Sequence, residues 1–256
     1  MKSELVKEGL APATVKHCLV LFRQMINKAI TWKLYDGANP VKGVKLPTVQ
    51  NQRERFLTYD EADILLNELK KRYLNVHDMA LLGLHCGLRA GEIFNLKGHA
   101  LDFQHEIITI LDAKNMKPKK VYMTKAVKEM LLKRKPANLD NYIFIDRFGN
   151  KYNEIPKVYR EVANKFFNKG VKDTRKRVTF HTLRHTFASW LALQGESLLT
   201  IRELLGHKSF AMTQRYAHLI PDEKRRAAVM LEKAFSEKRN GAAAGDHGDS
   251  SLHTSL

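Results

Sequence analysis

At 256 residues, 44% of them hydrophobic, the chain has material for one large or two modest domains with a genuine core. Lysine and arginine total 44 against 27 aspartate and glutamate, a net charge of +17 that points to a polyanionic partner. No apolar run is long enough to span a bilayer, the first eight residues lack the apolar core of a signal peptide, and Cys18 and Cys86 have no metal-type spacing, so a membrane span and a disulfide framework are both disfavoured.

Pro12 opens the first clear helix, and Val15, Leu19, Phe22, Ile26 and Ile30 recur at three- and four-residue steps, which predicts an amphipathic helix over 12–33. Gly37-Ala38-Asn39-Pro40 ends it, and the polar, proline-flanked stretch that follows reads as a linker. Thr58-x-x-Glu61 is a capping-box signature for a helix over 59–72, followed by another over about 76–86. Arg89 to Leu96 reads as a short helix with Arg89 and Glu92 on one face. Glu106–Leu111 and Lys120–Thr124 are β-rich runs around a basic turn, and Tyr142–Ile145 reads as a third short strand. From Asn153 onward the pattern is helical in four or five segments, ending in a small, polar, patternless stretch from Gly241. There is no internal repeat.

Within this frame stand Gly87-Leu88-Arg89-Ala90-Gly91-Glu92, His181-Thr182-Leu183-Arg184-His185 and Leu205-Gly206-His207, with Tyr216 nine positions after His207. Each has a bland reading alone. Arg89 and Glu92 make a surface ion pair, His181 and His207 cap helices, His185 is structural or touches nucleic-acid backbone, and Tyr216 belongs to a core. Together they suggest phosphodiester chemistry. Paired guanidiniums fork onto phosphate oxygens, imidazoles move protons near neutral pH, and a tyrosine can attack phosphorus and store the bond. His181 and Arg184, three apart at a helix start, share a face, while Leu183, Phe187, Ala188 and Leu191 enter the core. Gly206 suits a helix C-cap that presents His207 outward.

The order Arg89, Lys114, His181-x-x-Arg184, Gly206-His207, Tyr216 resembles the tyrosine recombinase (phage integrase) family over residues 9–220. The resemblance implies a mainly α fold with a small antiparallel β-sheet. It further implies a tyrosine recombinase-like catalytic domain over 55–235, preceded by a partial helical core-binding segment over 1–47 and a linker over 48–54. Residues 236–256 are expected to form a disordered tail. The implied activity is site-specific cutting and rejoining of DNA through a 3′-phosphotyrosine on Tyr216. Arg89, Arg184 and His207 would stabilise the phosphorane, His181 would act as general acid/base, and Lys114 would protonate the leaving 5′ oxygen. Lys114, Lys117 and Val121 meet the family's hairpin spacing, and Lys117 remains a rival for the acid. Glu92 matches a residue that orients the site, with the simple ion pair equally open. No cofactor and no metal are implied. The expected partner is double-stranded DNA bearing specific recombination sites, on which four copies assemble, with no membrane and a cytoplasmic, nucleoid-associated location. A type IB topoisomerase and an inactive DNA-binding relic are the alternatives.

Overall fold

The computed structural model describes residues 2–48, 55–111, 118–221 and 223–244, and it divides into two compact units. Residues 1–54 with the short stretch Asp173–Lys176 form one; Arg55–Lys172 with the rest of the chain form the other.

The N-terminal unit holds α1 (Lys2–Lys7) and α2 (Pro12–Thr31). Proline at the first turn of α2 suits a position whose N–H has no intrahelical partner. Val15 and Leu19 are buried and meet Val41, with Leu5, Phe22, Val44 and Leu46 packed around them. Asn39 secures the return of the chain. Its amide donates to the Arg23 carbonyl at 2.9 Å and to Asn27 Oδ1 at 2.6 Å, while its own oxygen accepts from the Val41 N–H at 3.0 Å.

The larger unit begins with α3 (Tyr59–Arg72), which the Thr58–Glu61 box starts as expected: Thr58 Oγ1 accepts from the Glu61 N–H and Glu61 Oε2 accepts from the Thr58 N–H. Next comes α4 (Leu74–Cys86), apolar nearly all round and therefore central. It packs against α8 (Phe180–Leu193), and Gly83 permits the approach: a Cβ there would stand 3.1 Å from the Leu183 Cβ. The short α5 (Ala90–Phe94) leads into a three-stranded antiparallel sheet of β1 (Leu101–Asp102), β2 (Ile107–Leu111) and β3 (Pro118–Tyr122), in that order. Ile110 pairs with Lys119 and Ile108 with Val121. Helices α6 (Lys125–Arg134), α7 (Lys157–Phe166), α9 (Leu198–Leu205), α10 (Ala211–Gln214) and α11 (Glu223–Ala244) complete the described elements, with three turns of 3₁₀ helix between them. Buried Asp78 of α4 accepts from Arg134 Nε of α6 at 2.5 Å, and Arg134 also donates to Asn75 Oδ1 at 2.8 Å, tying the two helices together. This mostly helical arrangement with one small antiparallel sheet is the fold class read from the sequence.

Three local expectations are corrected. Tyr142–Ile145 is not a strand. It makes isolated bridges, Lys97 to Tyr142 and Ile145 to Lys151, and the consecutive Ile143 and Phe144 are both buried, which an alternating strand face does not allow. The third strand is instead Leu101–Asp102. Helix α6 had no counterpart in the reading, although Val127, Met130 and Leu131 are buried at helical spacing behind the Thr124 cap. The tail expected over 236–256 is helical through Ala244, where Ala, Glu, Lys and Arg keep the cost of continuing α11 low; residues 245–256 lie outside the described residues.

Candidate active site

The centre of the site is the Glu92 carboxylate. Arg89 precedes α5, and its backbone N–H donates to Glu92 Oε2 at 2.8 Å while its guanidinium donates to Oε1, also at 2.8 Å. The carboxylate thus caps its own helix and fixes the arginine in one stroke. Arg184 reaches the same place from α8, with its side chain only 3% exposed. It donates to the Gly87 carbonyl at 2.6 Å and the Leu205 carbonyl at 2.5 Å, and it stands 3.8 Å from Glu92 Oε2. Gly87 ends α4 in a left-handed conformation (φ 62°), and a Cβ there would strike the Phe187 ring at 2.6 Å, so only glycine lets the chain turn here. Burial first, and then Arg89, pull the Arg184 pKa down to about 10, which leaves it charged at neutral pH.

A third cation arrives from the sheet. Lys119 Nζ lies 3.9 Å from Glu92 Oε2. Three cations, Arg89, Lys119 and Arg184, therefore surround one carboxylate and leave an unbalanced positive charge. Such a cluster is a receptor for an anion, and a phosphate matches the forked donors.

Gly206 caps α9 in the left-handed region (φ 63°) and turns the chain toward His207, as the glycine predicted. His207 Nδ1 sits 2.9 Å from Thr213 Oγ1. Burial, reinforced by Arg184, Arg89, Lys119 and Arg215, lowers its pKa to about 4, so the ring is neutral near pH 7 and serves as a hydrogen-bonding group, not a cation. Tyr216 is 4% exposed and packs with Ala188, Ala192, Ile201 and Leu205. Its hydroxyl lies 2.8 Å from Nδ1 of buried His185. Burial raises the phenol pKa, against the pull of Arg215 and Arg184.

The structure thus gathers Arg89, Glu92, Arg184, His207 and Tyr216 into one neighbourhood. His181 opens α8 on its exposed side. Lys114 and Lys117 lie outside the described residues. Two contacts escaped the sequence reading. Lys119 joins the cation cluster; its signal was its place two residues before Val121, on the inward face of a strand. His185 holds the tyrosine, which the adjacency to Arg184 hinted at but could not decide. A cleft of about 1370 Å³ opens over the cluster, lined in part by Arg89, Glu92, Lys119, Lys120, Glu203 and Gly206. Among the described residues no three His, Cys, Asp or Glu side chains are grouped to hold a metal ion, and no helix is long and apolar enough to cross a membrane.

Comparison with known proteins places this arrangement. The chain is 32% identical over 192 residues to a tyrosine recombinase of Pseudothermotoga lettingae, covering 73% of this chain and 64% of that one. It is 30% identical over 224 residues to the tyrosine recombinase XerC of Proteus mirabilis, covering 83% of this chain and 70% of that protein. The integrase of Escherichia phage P2 is 28% identical, and the match spans 58% of its length. Among solved structures, the Tn1549 transposon integrase in complex with transposon right end DNA superposes with a TM-score of 0.72 at 20% identity, over 90% of this chain and 83% of that one. A lambda integrase dimer bound to a COC′ core site gives 0.65 at 19% identity, over 84% and 61%; both show the shared fold. Residues 55–223 match the model of the phage integrase family, and the chain belongs to that family.

Proposed function

We propose that the chain cuts and rejoins double-stranded DNA at specific sites, with Tyr216 as nucleophile. The observation that supports this most is the cluster of Arg89, Lys119 and Arg184 about the single Glu92 carboxylate, beside neutral His207 and the buried phenol of Tyr216. Tyr216 Oη attacks a backbone phosphorus, the P–O5′ bond breaks, and a 3′-phosphotyrosine and a free 5′-hydroxyl result. A partner strand's 5′-hydroxyl then attacks the same phosphorus and returns the electron pair to the tyrosine, so the number of phosphodiester bonds is conserved. Arg89, Arg184 and His207 stabilise the charge of the phosphorane. His181 moves the phenolic proton as general acid/base, and a lysine of the β2–β3 hairpin, Lys114 or its rival Lys117 by resemblance, protonates the leaving oxygen.

Assembly belongs to the same proposal. On α11, Ala227, Met230, Leu231 and Ala234 make an apolar stripe, and Met230 and Leu231 are 61% and 60% exposed. A stripe left in solvent favours docking on another copy over packing on its own unit. The protein is then monomeric when free and a tetramer on paired sites, acting on chromosomal or mobile-element DNA in the cytoplasm. Residues 1–47 would contribute to the clamp on DNA.

The test is covalent capture on nicked duplexes, first selected by the chain from a randomised pool. The wild type should leave a protein–DNA adduct and Tyr216→Phe none, while gel shifts show both binding. An adduct at wild-type level in Tyr216→Phe removes Tyr216 from the reading, and no adduct with the wild type leaves only a DNA-binding protein. A chain cut after Ile220 should bind single sites yet fail to pair them.

A further inference from the structure

Thr213 of α10 is fully buried, and its hydroxyl is not used in the ordinary helical way. A threonine inside a helix can give its proton back to the carbonyl one turn earlier, as buried Thr186 of α8 does to Thr182 at 2.8 Å. Thr213 does not. Among the described residues the one hydrogen-bond partner of its Oγ1 is Nδ1 of His207, at 2.9 Å. A hydroxyl carries one proton, and a buried donor left without an acceptor costs about 1–3 kcal/mol. Thr213 therefore donates, and Nδ1 meets it with a lone pair.

The backbone on both sides holds this pair in register. The His207 N–H donates to the Arg202 carbonyl and the Gly206 N–H to the Glu203 carbonyl, each at 3.0 Å, which fixes where the ring leaves the end of α9. The N–H of Thr213 donates to the Phe210 carbonyl at 2.8 Å, and its carbonyl accepts from the Tyr216 N–H at 2.9 Å. The residue that meets the histidine ring thus also carries the turn on which Tyr216 stands.

A neutral imidazole has one N–H, and the hydrogen bond made by one nitrogen decides which of the two carries it. With Nδ1 accepting, the proton sits on Nε2. The ring is neutral because burial, and then Arg184, Arg89, Lys119 and Arg215, lower its pKa to about 4. Nε2 bonds to no described residue and is not sealed from solvent, so its N–H is available to a ligand that enters beside those cations. Arg89 and Arg184 present donors at every accessible pH, whereas the histidine is a donor at Nε2 in only one of its two neutral forms.

We propose that Thr213 is a positioning residue: by donating to Nδ1 it confines His207 to the Nε2–H tautomer and makes that N–H a fixed donor to a phosphate oxygen. The opposite tautomer would turn a lone pair toward the anion and forfeit the contact. The identity of the ligand rests on the strand-cleavage reading; the tautomer does not.

The experiment uses the full chain with nitrogen-15-labelled histidine. A two-bond proton–nitrogen correlation near pH 7 reads the ring, with the His207 signals assigned by their loss in His207→Gln. The wild type should show a protonated Nε2 and an unprotonated Nδ1. Thr213→Val keeps the side-chain shape and removes the hydroxyl; Thr213→Ser keeps the hydroxyl. On a nicked duplex recovered by wild-type capture, Thr213→Val should cleave roughly 10- to 10²-fold more slowly in a single turnover, because the donor is loosened and not removed, with site binding intact in gel shifts. Thr213→Ser should stay close to wild type. In the His207→Gln background Thr213→Val should slow cleavage no further, since it acts through the ring. A proton found on Nδ1 of the wild type overturns the role, as does unimpaired cleavage by Thr213→Val. Equal slowing in the His207→Gln background overturns it too and assigns the threonine to the turn of Tyr216. A wild-type chain that captures no duplex removes strand cleavage and the phosphate donor with it, and the ring spectrum, which needs no DNA, tells that failure from a failure of the threonine.

Discussion

Of the twenty residues of α2 only Val15 and Leu19 are buried; of the thirteen of α4, nine are. Full burial of a leucine or valine is worth roughly 1.5–3 kcal/mol, so the two units draw on very different reserves of cohesion. In the N-terminal unit Met25, Trp32 and Leu34 remain 58%, 65% and 76% exposed. In the larger unit one continuous core runs from Leu57 to Leu183 and supports the side chains around Glu92. The contrast teaches where rigidity is needed. A cluster proposed to bind phosphate must hold its donors in place before the ligand arrives, because reorganising them during the reaction would forfeit their advantage. A segment proposed to clamp DNA can gain its order on binding.

Among the tests of the two units, Arg184 offers the largest effect. Arg184→Ala should cut single-turnover cleavage by roughly 10²–10³-fold, equivalent to about 3–4 kcal/mol, and Arg184→Lys should also suffer because an ammonium cannot fork. Near-normal cleavage by Arg184→Ala would mean that the rigid centre is not the reactive one. The next test sets the two cores side by side. Leu82→Ala, at a fully buried position of α4, should cost roughly 2–5 kcal/mol in the main denaturation transition. Leu19→Ala should leave that transition in place and change only signals from the N-terminal unit. A main transition lowered equally by both would show the units to be one cooperative body.

The smallest effect is in pH. His207 is held down to about 4 in the folded protein against an ordinary 6.5, so between these values the unfolded chain binds the extra proton and the folded one does not. Stability of the larger unit should therefore decline as pH falls from 6.5 toward 4, and His207→Asn should flatten part of that decline in thermal melts. A wild-type profile no steeper than the variant's would show that the ring is not held neutral by its surroundings.

How far the sequence foretold this can be argued residue by residue. The helices with strong periodicity or capping signals, α2 and α3, stand where the pattern put them, because those signals are local. The Tyr142–Ile145 run misled because a short apolar stretch carries no information on whether a neighbour strand exists to pair with it. The gathering of Arg89, Glu92, Arg184, His207 and Tyr216 could be anticipated only from their order along the chain. The depth of Lys119 and the His185–Tyr216 hydrogen bond could not, since each depends on elements far apart in sequence meeting at a set distance. A lysine in a run of lysines looks solvated until the strand's phase is known.

One consequence of the Arg184 geometry concerns how such a chain decays over generations. Its guanidinium joins the carbonyl ends of two helices, through Gly87 after α4 and Leu205 at the end of α9, where the helix dipoles are negative. The residue proposed to meet the phosphate is thus also a rivet of the fold. A gene copy that drifts and loses this arginine leaves two buried carbonyls without their donor, at about 1–3 kcal/mol for each such group, a large share of a domain's net stability. Inactive descendants carrying that lesion should be cleared by proteolysis and not persist as folded occupants of DNA, so mutational erosion of this chain is steered toward disappearance.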